Sequence, residues 1–199
     1  MMPWSLIPLL HACAFGVAAV AARVLLSYHR TGVSPFAFAR NDAARQFTGR
    51  WFYLWLPLVD FMFVVFHAWT DNPGPLLWEG LAQREEIRWL GGVLLAVSLV
   101  WVVLAQGGMG RSWKMGVDDA EEGELCTSGL FAYSRHPVYT GIRVTMFAQL
   151  LVIGSWPALC LWMVSEMLVQ LQARFEEEAM EAVHGVVYER YSARVRRWL

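Results

Sequence analysis

Residues 141–171, G-I-R-V-T-M-F-A-Q-L-L-V-I-G-S-W-P-A-L-C-L-W-M-V-S-E-M-L-V-Q-L, hold two apolar runs separated by G-S-W-P. The first reaches Ile153 after roughly twelve apolar residues, about 18 Å of helix, which is too short to cross a hydrocarbon core of roughly 30 Å. The second runs from Ala158 to Leu171. A helical hairpin that turns at Gly154–Pro157 explains both lengths. Its second arm is expected to leave the lipid near Gln172 and to continue through R-F-E-E-E-A-M-E-A-V, because no proline interrupts it and Ala, Glu and Met favour helix. His184-Gly185 is expected to stop it. The two ends of the hairpin then meet, His136 before it and Glu176 after it.

The stretch leading into the hairpin, L-C-T-S-G-L-F-A-Y-S-R-H-P-V-Y-T-G from Leu125 to Gly141, is a dense polar and aromatic block. Pro137 fixes its own φ and pushes His136 towards an extended conformation, while Gly141 permits close backbone approach. A cation, an imidazole and a phenol within a few positions suggest a site for a ligand with both polar and flat groups.

Working back towards the N-terminus, Trp4–Leu26, Trp51–Trp69 and Trp89–Ala105 each read as a transmembrane helix. Across the chain, 57% hydrophobic residues and eleven tryptophans exceed what a soluble core of 199 residues needs. The net charge of -1 suggests neither nucleic acid nor an acidic partner. Cys13, Cys126 and Cys160 lie far apart, without disulfide or metal-type spacing, and no metal is expected. M-M-P-W-S-L-I-P lacks the basic start and cleavage site of a signal peptide, so the first apolar run is expected to be retained.

Loop charges set the orientation. Arg30, Arg40, Arg45 and Arg50 face a single acid, Asp42, in residues 27–50, whereas acids outnumber bases in residues 70–88, where Glu79 falls. By the positive-inside rule the first loop and the C-terminus are cytoplasmic and the N-terminus is outside. His11 reads as a helix-facing hydrogen bond and Arg23 as a snorkelling end residue. Asp60, near the middle of the second span, is either a hydrogen bond to a neighbouring helix or part of a polar path to the site. Gly91-Gly92 is a candidate close-packing point. The run G-G-M-G at 107–110 is expected to be too glycine-rich for a stable helix and to bend back over a ligand. The acidic run D-D-A-E-E-G-E reads as a solvated loop, and the tail Y-E-R-Y-S-A-R-V-R-R-W-L as a basic surface helix on anionic head groups.

Several pieces come in a recognisable order: G-R-S-W-K-M-G-V-D from Gly110 to Asp118, Thr127-Ser128-Gly129, R-H-P-V-Y-T-G from Arg135, the pair Glu176-Glu177, and H-G-V-V-Y-E-R-Y from His184. In that order and spacing, residues 106–199 resemble the isoprenylcysteine carboxyl methyltransferase family and its bacterial relatives, which in turn resemble the phospholipid N-methyltransferases. Residues 1–105 match only in hydropathy. The resemblance implies an all-α integral membrane protein of one structural domain, with about five transmembrane helices including the C-terminal hairpin. Three N-terminal helices would occupy residues 1–105 and a catalytic region residues 106–199, with a cytoplasmic cofactor pocket and a C-terminal amphipathic helix, in a bacterial inner membrane.

The donor implied is S-adenosylmethionine. Its binding residues would come from Tyr133, Arg135, His136, Pro137, Tyr139, Gly141, Glu176 and Glu177, and its catalytic residues from His136, Glu176 and Arg174. Arg135 suits the donor's carboxylate, or otherwise pairs with Asp118 or an acid of the tail. Glu176, preferred over Glu177, suits the donor's ammonium. Tyr133 and Tyr139 offer aromatic faces to the sulfonium or adenine, or serve as interfacial belt residues. His136 is a donor-binding residue first; a general base is needed only if the acceptor arrives protonated, and His136 or a glutamate could then take that role. The chain departs from the family pattern at His184, where many relatives carry phenylalanine, and in V-R-R-W, which replaces a proline-bearing end. Neither is expected to touch the donor pocket.

The acceptor expected is lipophilic: a prenylated cysteine carboxylate, a phospholipid amine or a small hydrophobic thiol, with membrane lipids as the surroundings and no nucleic acid or obligatory protein partner. Two other classes compete: a nicotinamide-dependent enzyme like the sterol reductases, which NADPH dependence would reveal, and a non-enzymatic membrane protein, which would bind no donor.

Overall fold

The structure, a computed structural model, describes residues 4–36, 43–70, 72, 74–77, 84–110, 113 and 125–199. Three long helices come first: α1 Leu6–Thr31, α2 Ala43–Thr70 and α3 Glu85–Gly108. After a 3-10 turn at Gly129–Ala132 come α4 Pro137–Ile153, α5 Trp156–His184 and the short α6 Val186–Ser192. The first three are each long and apolar enough to cross a membrane, and the chain is an integral membrane protein. Arg40, Asp42, Glu79, and Arg111, Ser112 and Lys114 to Glu124 lie outside the described residues.

The spans are longer than hydropathy suggests. The helix of α1 persists to Thr31, where Gly32 at φ 71° ends it, and α3 keeps Gly107 and Gly108, which the sequence reading placed outside any helix. The reason is tertiary. One guanidinium nitrogen of Arg23 donates to the carbonyls of Gln106 (2.6 Å) and Gly110 (3.0 Å), and the Gln106 side chain donates to the Ala19 carbonyl at 3.0 Å. Carbonyls that a fraying end would leave unpaired are thereby satisfied. Arg23 is accordingly buried over the Trp113 ring, 5.4 Å from its centroid, rather than snorkelling outward.

Helices α3 and α4 run antiparallel in close contact. A Cβ added to Gly91 would lie 2.7 Å from Val152 Cγ2 and 2.8 Å from the Ala148 carbonyl, and one added to Gly141 would collide with Trp101 and Val102. Gly141 thus serves helix packing, with Ser98 and Thr145 bonded at 2.8 Å across the same seam. Gly91→Leu is expected to lower stability by about 1–3 kcal/mol, because the helices must separate to admit the side chain; thermal melting in detergent checks it.

The hairpin forms as the run lengths require. Gly154 at φ 67° ends α4, and the Ser155 side chain caps α5 by accepting from Ala158 N at 3.4 Å. The segment after α2 packs on the tip, with Leu77 N donating to Gly154 O at 3.0 Å and Trp156 N to Pro75 O at 2.9 Å. The two arms are tied by Arg143 and Glu166 at 2.8 Å, and α5 runs unbroken until Gly185. His136, at the base of one arm, therefore stands beside Glu176 and Glu177 on the other.

Candidate active site

The site forms around His136. Pro137 opens α4, and His136 occupies its N-cap at φ -128°. Adjacent on α5, Glu176 and Glu177 diverge to opposite edges of the imidazole: Glu177 Oε1 is 3.1 Å from Nε2, and Glu176 Oε2 is 3.5 Å from Nδ1. The Tyr139 ring, one turn along α4, stacks on the imidazole at 5.5 Å and 9°.

The two glutamates have different surroundings. Glu177 is a hub for cations. It takes Arg135 at 3.0 Å and Arg197 at 2.5 and 2.9 Å, in addition to His136. Glu176 accepts from the Tyr139 hydroxyl and, at 3.3 Å, from the Tyr53 hydroxyl of α2, and the two phenols bond to each other at 2.7 Å. Among the described residues no arginine or lysine pairs with Glu176.

Arg197 and Trp198 correct the reading of the tail. V-R-R-W was expected to stay clear of the pocket, yet Arg197 closes on Glu177, and Trp198 packs between His136 (5.8 Å) and the Arg143 guanidinium (4.5 Å). The tail is anchored through its backbone carbonyls: Arg135 N donates to Arg196 O (2.9 Å), the Ser134 hydroxyl to Arg197 O (3.0 Å), and Arg135 Nη1 to Ser192 O (3.0 Å). Tyr191 adds a bond to the Phe131 carbonyl at 2.7 Å. The helical part of the tail is only Val186–Ser192; Arg190, Arg194 and Arg196 are exposed. Two adjacent carboxylates beside one arginine were a signal that a further cation was needed, and the tail carried the candidates.

Of the other residues singled out in the sequence, Arg135, His136, Pro137, Tyr139 and Glu176 line one cavity of about 500 Å³. Glu177 backs it. Gly141 faces α3, Tyr133 is 70% exposed, and Arg174 is exposed on α5; none of these three lines the cavity. Tyr53 was not found from the sequence, because a tyrosine in an aromatic-rich span gives no local hint of a carboxylate partner on another helix. The rest of the cavity wall is largely apolar, from Phe15, Phe52, Leu56, Val102, Ile142 and Met146.

Charge stabilises the arrangement within a pH window. Burial penalises the Glu177 carboxylate, but its bonds to His136 and Arg197 outweigh that and hold it down at about 2, against an ordinary 4.5. Burial likewise opposes the His136 imidazolium, and bonds and charge from Glu176 and Glu177 outweigh it, so its value lies above the ordinary 6.5. The Glu177 contribution to stability is complete above pH 4.5 and is lost as pH falls towards 2. That of His136 is complete below pH 6.5 and is lost as pH rises through the raised value. Melting in detergent is therefore expected to peak between these limits, and Arg197→Ala to flatten the acid limb.

Fold and site together define an integral membrane protein, helical throughout its described spans, with a largely apolar pocket whose polar corner lies where the two ends of a helical hairpin meet. The sequence model of the Isoprenylcysteine carboxyl methyltransferase (ICMT) family matches residues 89–184, nearly half of the chain, from early in α3 to the end of α5. Over that segment the chain is similar to this family of membrane methyltransferases. No curated protein and no solved structure matches it. Arg197 and Trp198 lie beyond the matched segment.

Proposed function

We propose that the protein transfers a methyl group from S-adenosylmethionine to a lipophilic acceptor that reaches the cavity from the bilayer. The observation that carries this reading is the Glu176 carboxylate on the cavity wall, held by two phenols and a histidine while both nearby arginines are committed to Glu177. Such a group calls for a cation, and the donor brings an ammonium and a sulfonium. Glu176 takes the ammonium. Arg135, two of whose five N–H donors are unspent in its bonds to Glu177 and Ser192, takes the donor's carboxylate.

In the transfer the methyl carbon leaves the sulfonium for the acceptor, and the electron pair of the broken C–S bond stays on sulfur. An anionic acceptor quenches the sulfonium charge, so positioning and exclusion of water supply much of the acceleration. A carboxylate acceptor needs no base. For a thiol or an amine a base is needed, and His136 in its neutral form or the Glu176 carboxylate on the cavity wall fills that role. A prenylated cysteine carboxylate is the acceptor most in keeping with the family, and a phospholipid amine or a small hydrophobic thiol also suits the apolar wall.

The hairpin joins the three long helices as a fourth and fifth membrane-embedded element, with the N-terminus outside and the site on the cytoplasmic face of a bacterial inner membrane. Cysteines introduced near Ser5 and near Ser192 should label from opposite sides; labelling from one side refutes this topology. Activity is tested by incubating protein in lipid with methyl-labelled donor and a bacterial lipid extract. Label entering an organic-soluble product is expected. Label that stays on the donor, together with NADPH consumption in a parallel reaction, would move the protein to the reductase class.

A further inference from the structure

The cavity is polar at both ends. Tyr53, Tyr139 and Glu176 meet at one corner, and each helix carries a second polar residue further along the same wall. Asp60 is seven residues beyond Tyr53 in α2, Gln149 ten beyond Tyr139 in α4, and Ser165 eleven before Glu176 in α5. At 1.5 Å per residue they lie about 10–16 Å from that corner. All three run away from it in one direction, since the segment after α2 packs on the hairpin tip. His11, eight residues before Ala19 in α1, lines the same cavity, and Ala19 is tied to Gln106 at its near end. The stretch between the two polar ends is largely apolar, and the one hydroxyl there on α4, that of Thr145, is bonded to Ser98.

This far end is incompletely satisfied. Gln149 donates to Asp60 Oδ1 at 2.8 Å. Ser165, 1% exposed, has no partner for its hydroxyl among the described residues, and neither has His11 Nε2. A buried hydroxyl left unbonded is costly, more so in a membrane-embedded bundle where bulk water does not reach. If Asp60 and Gln149 only joined two helices, Ser165 and His11 would not need to face the same space.

We propose that the far end of the cavity is a recognition site for a neutral, hydroxyl-type group on the distal end of the acceptor, so that the acceptor is an amphiphile with a polar group at each end of an apolar body about 10–16 Å long. A hydroxyl both donates and accepts. It can give its proton to Asp60 or His11 and take one from Ser165. A full charge at this depth would be far costlier. A bare hydrocarbon tail, an unmodified prenyl chain included, would leave the Ser165 hydroxyl and His11 Nε2 unbonded, so among the acceptors named above the geometry favours one that carries a distal hydroxyl. The inference rests on the methyl-transfer reading only for which end of the ligand is methylated.

The test uses tritiated decane-1,10-diol and decane as probes, each in equilibrium with the purified protein in one detergent, with uptake by empty micelles subtracted. The ratio of diol to decane binding is measured for the wild type, Ser165→Ala and Asp60→Ala. Partition into detergent is common to all three proteins and cancels between them. The ratio is expected to fall about tenfold in each variant, the equivalent of one or two neutral hydrogen bonds, while Ser165→Thr, which keeps the hydroxyl, retains it. An equal ratio in wild type and both alanine variants, each with its melting transition intact, overturns the proposal and leaves these side chains as helix-to-helix ties. Binding of S-adenosylhomocysteine is measured on the same preparations. Donor-product binding without a diol preference removes this inference and keeps the methyl-transfer reading; a diol preference without donor-product binding does the reverse.

Discussion

Glu176→Gln is expected to weaken binding of S-adenosylmethionine by roughly ten- to a hundredfold while the protein stays folded. The substitution keeps the size of the side chain and its ability to accept from Tyr53 and Tyr139, but removes the charge. A hydrogen bond to a charged group is worth about 1.5–3 kcal/mol, and each 1.4 kcal/mol is tenfold in affinity. The surroundings make the charge matter. Glu177, one residue on, already has Arg135 and Arg197, whereas among the described residues the group paired with Glu176 that can carry positive charge is His136, 3.5 Å away. When His136 is protonated it competes with the donor's cation. Donor affinity should therefore fall as pH drops through the raised His136 value, and this dependence should be lost in Glu176→Gln. Affinity measured against pH in both proteins decides the matter. A variant that binds the donor as tightly as wild type removes Glu176 from the site.

Glu177→Ala is expected to have the larger effect on the fold. It leaves two guanidinium groups and an imidazole facing one another without the carboxylate that joins them. Removing one partner of a buried pair costs about 3–5 kcal/mol; because the Glu177 side chain is 15% exposed, about 2 kcal/mol is the better expectation. The loss should appear first in the tail, which is held by Arg197 and by backbone bonds to Ser134 and Arg135. Trypsin should cut after Arg194, Arg196 and Arg197 faster in Glu177→Ala than in wild type, with the hairpin still protected. Arg197→Ala should release the tail less, because Arg135 continues to pair with Glu177. Equal cleavage in Glu177→Ala and wild type would mean that the backbone bonds alone hold the tail.

What the sequence disclosed and what it withheld follow from the range of the forces involved. The hairpin was legible because hydrocarbon thickness converts a run length into a topology, and G-S-W-P marks the turn. The meeting of His136 with Glu176 followed from that arithmetic, and the ordered motifs from Gly110 to Tyr191 agreed with it. Long-range closure was less legible. Nothing local in V-R-R-W shows that Arg197 completes a carboxylate hub or that Trp198 covers an imidazole. The persistence of α3 through Gly107 and Gly108 depends on Arg23, far away in sequence, and a propensity argument does not contain that partner. Gly141 looked like a point of approach for a ligand because it sits in the motif, but its missing side chain makes room for α3.

The most direct test of a donor pocket built on Glu176 is calorimetric titration of S-adenosylhomocysteine into the purified protein in detergent, with NADPH titrated in parallel. Micromolar binding of S-adenosylhomocysteine alone, weakened at least tenfold in Glu176→Gln, is the predicted result. Binding of NADPH instead, or of neither ligand in detergent and again after reconstitution into lipid, would contradict it.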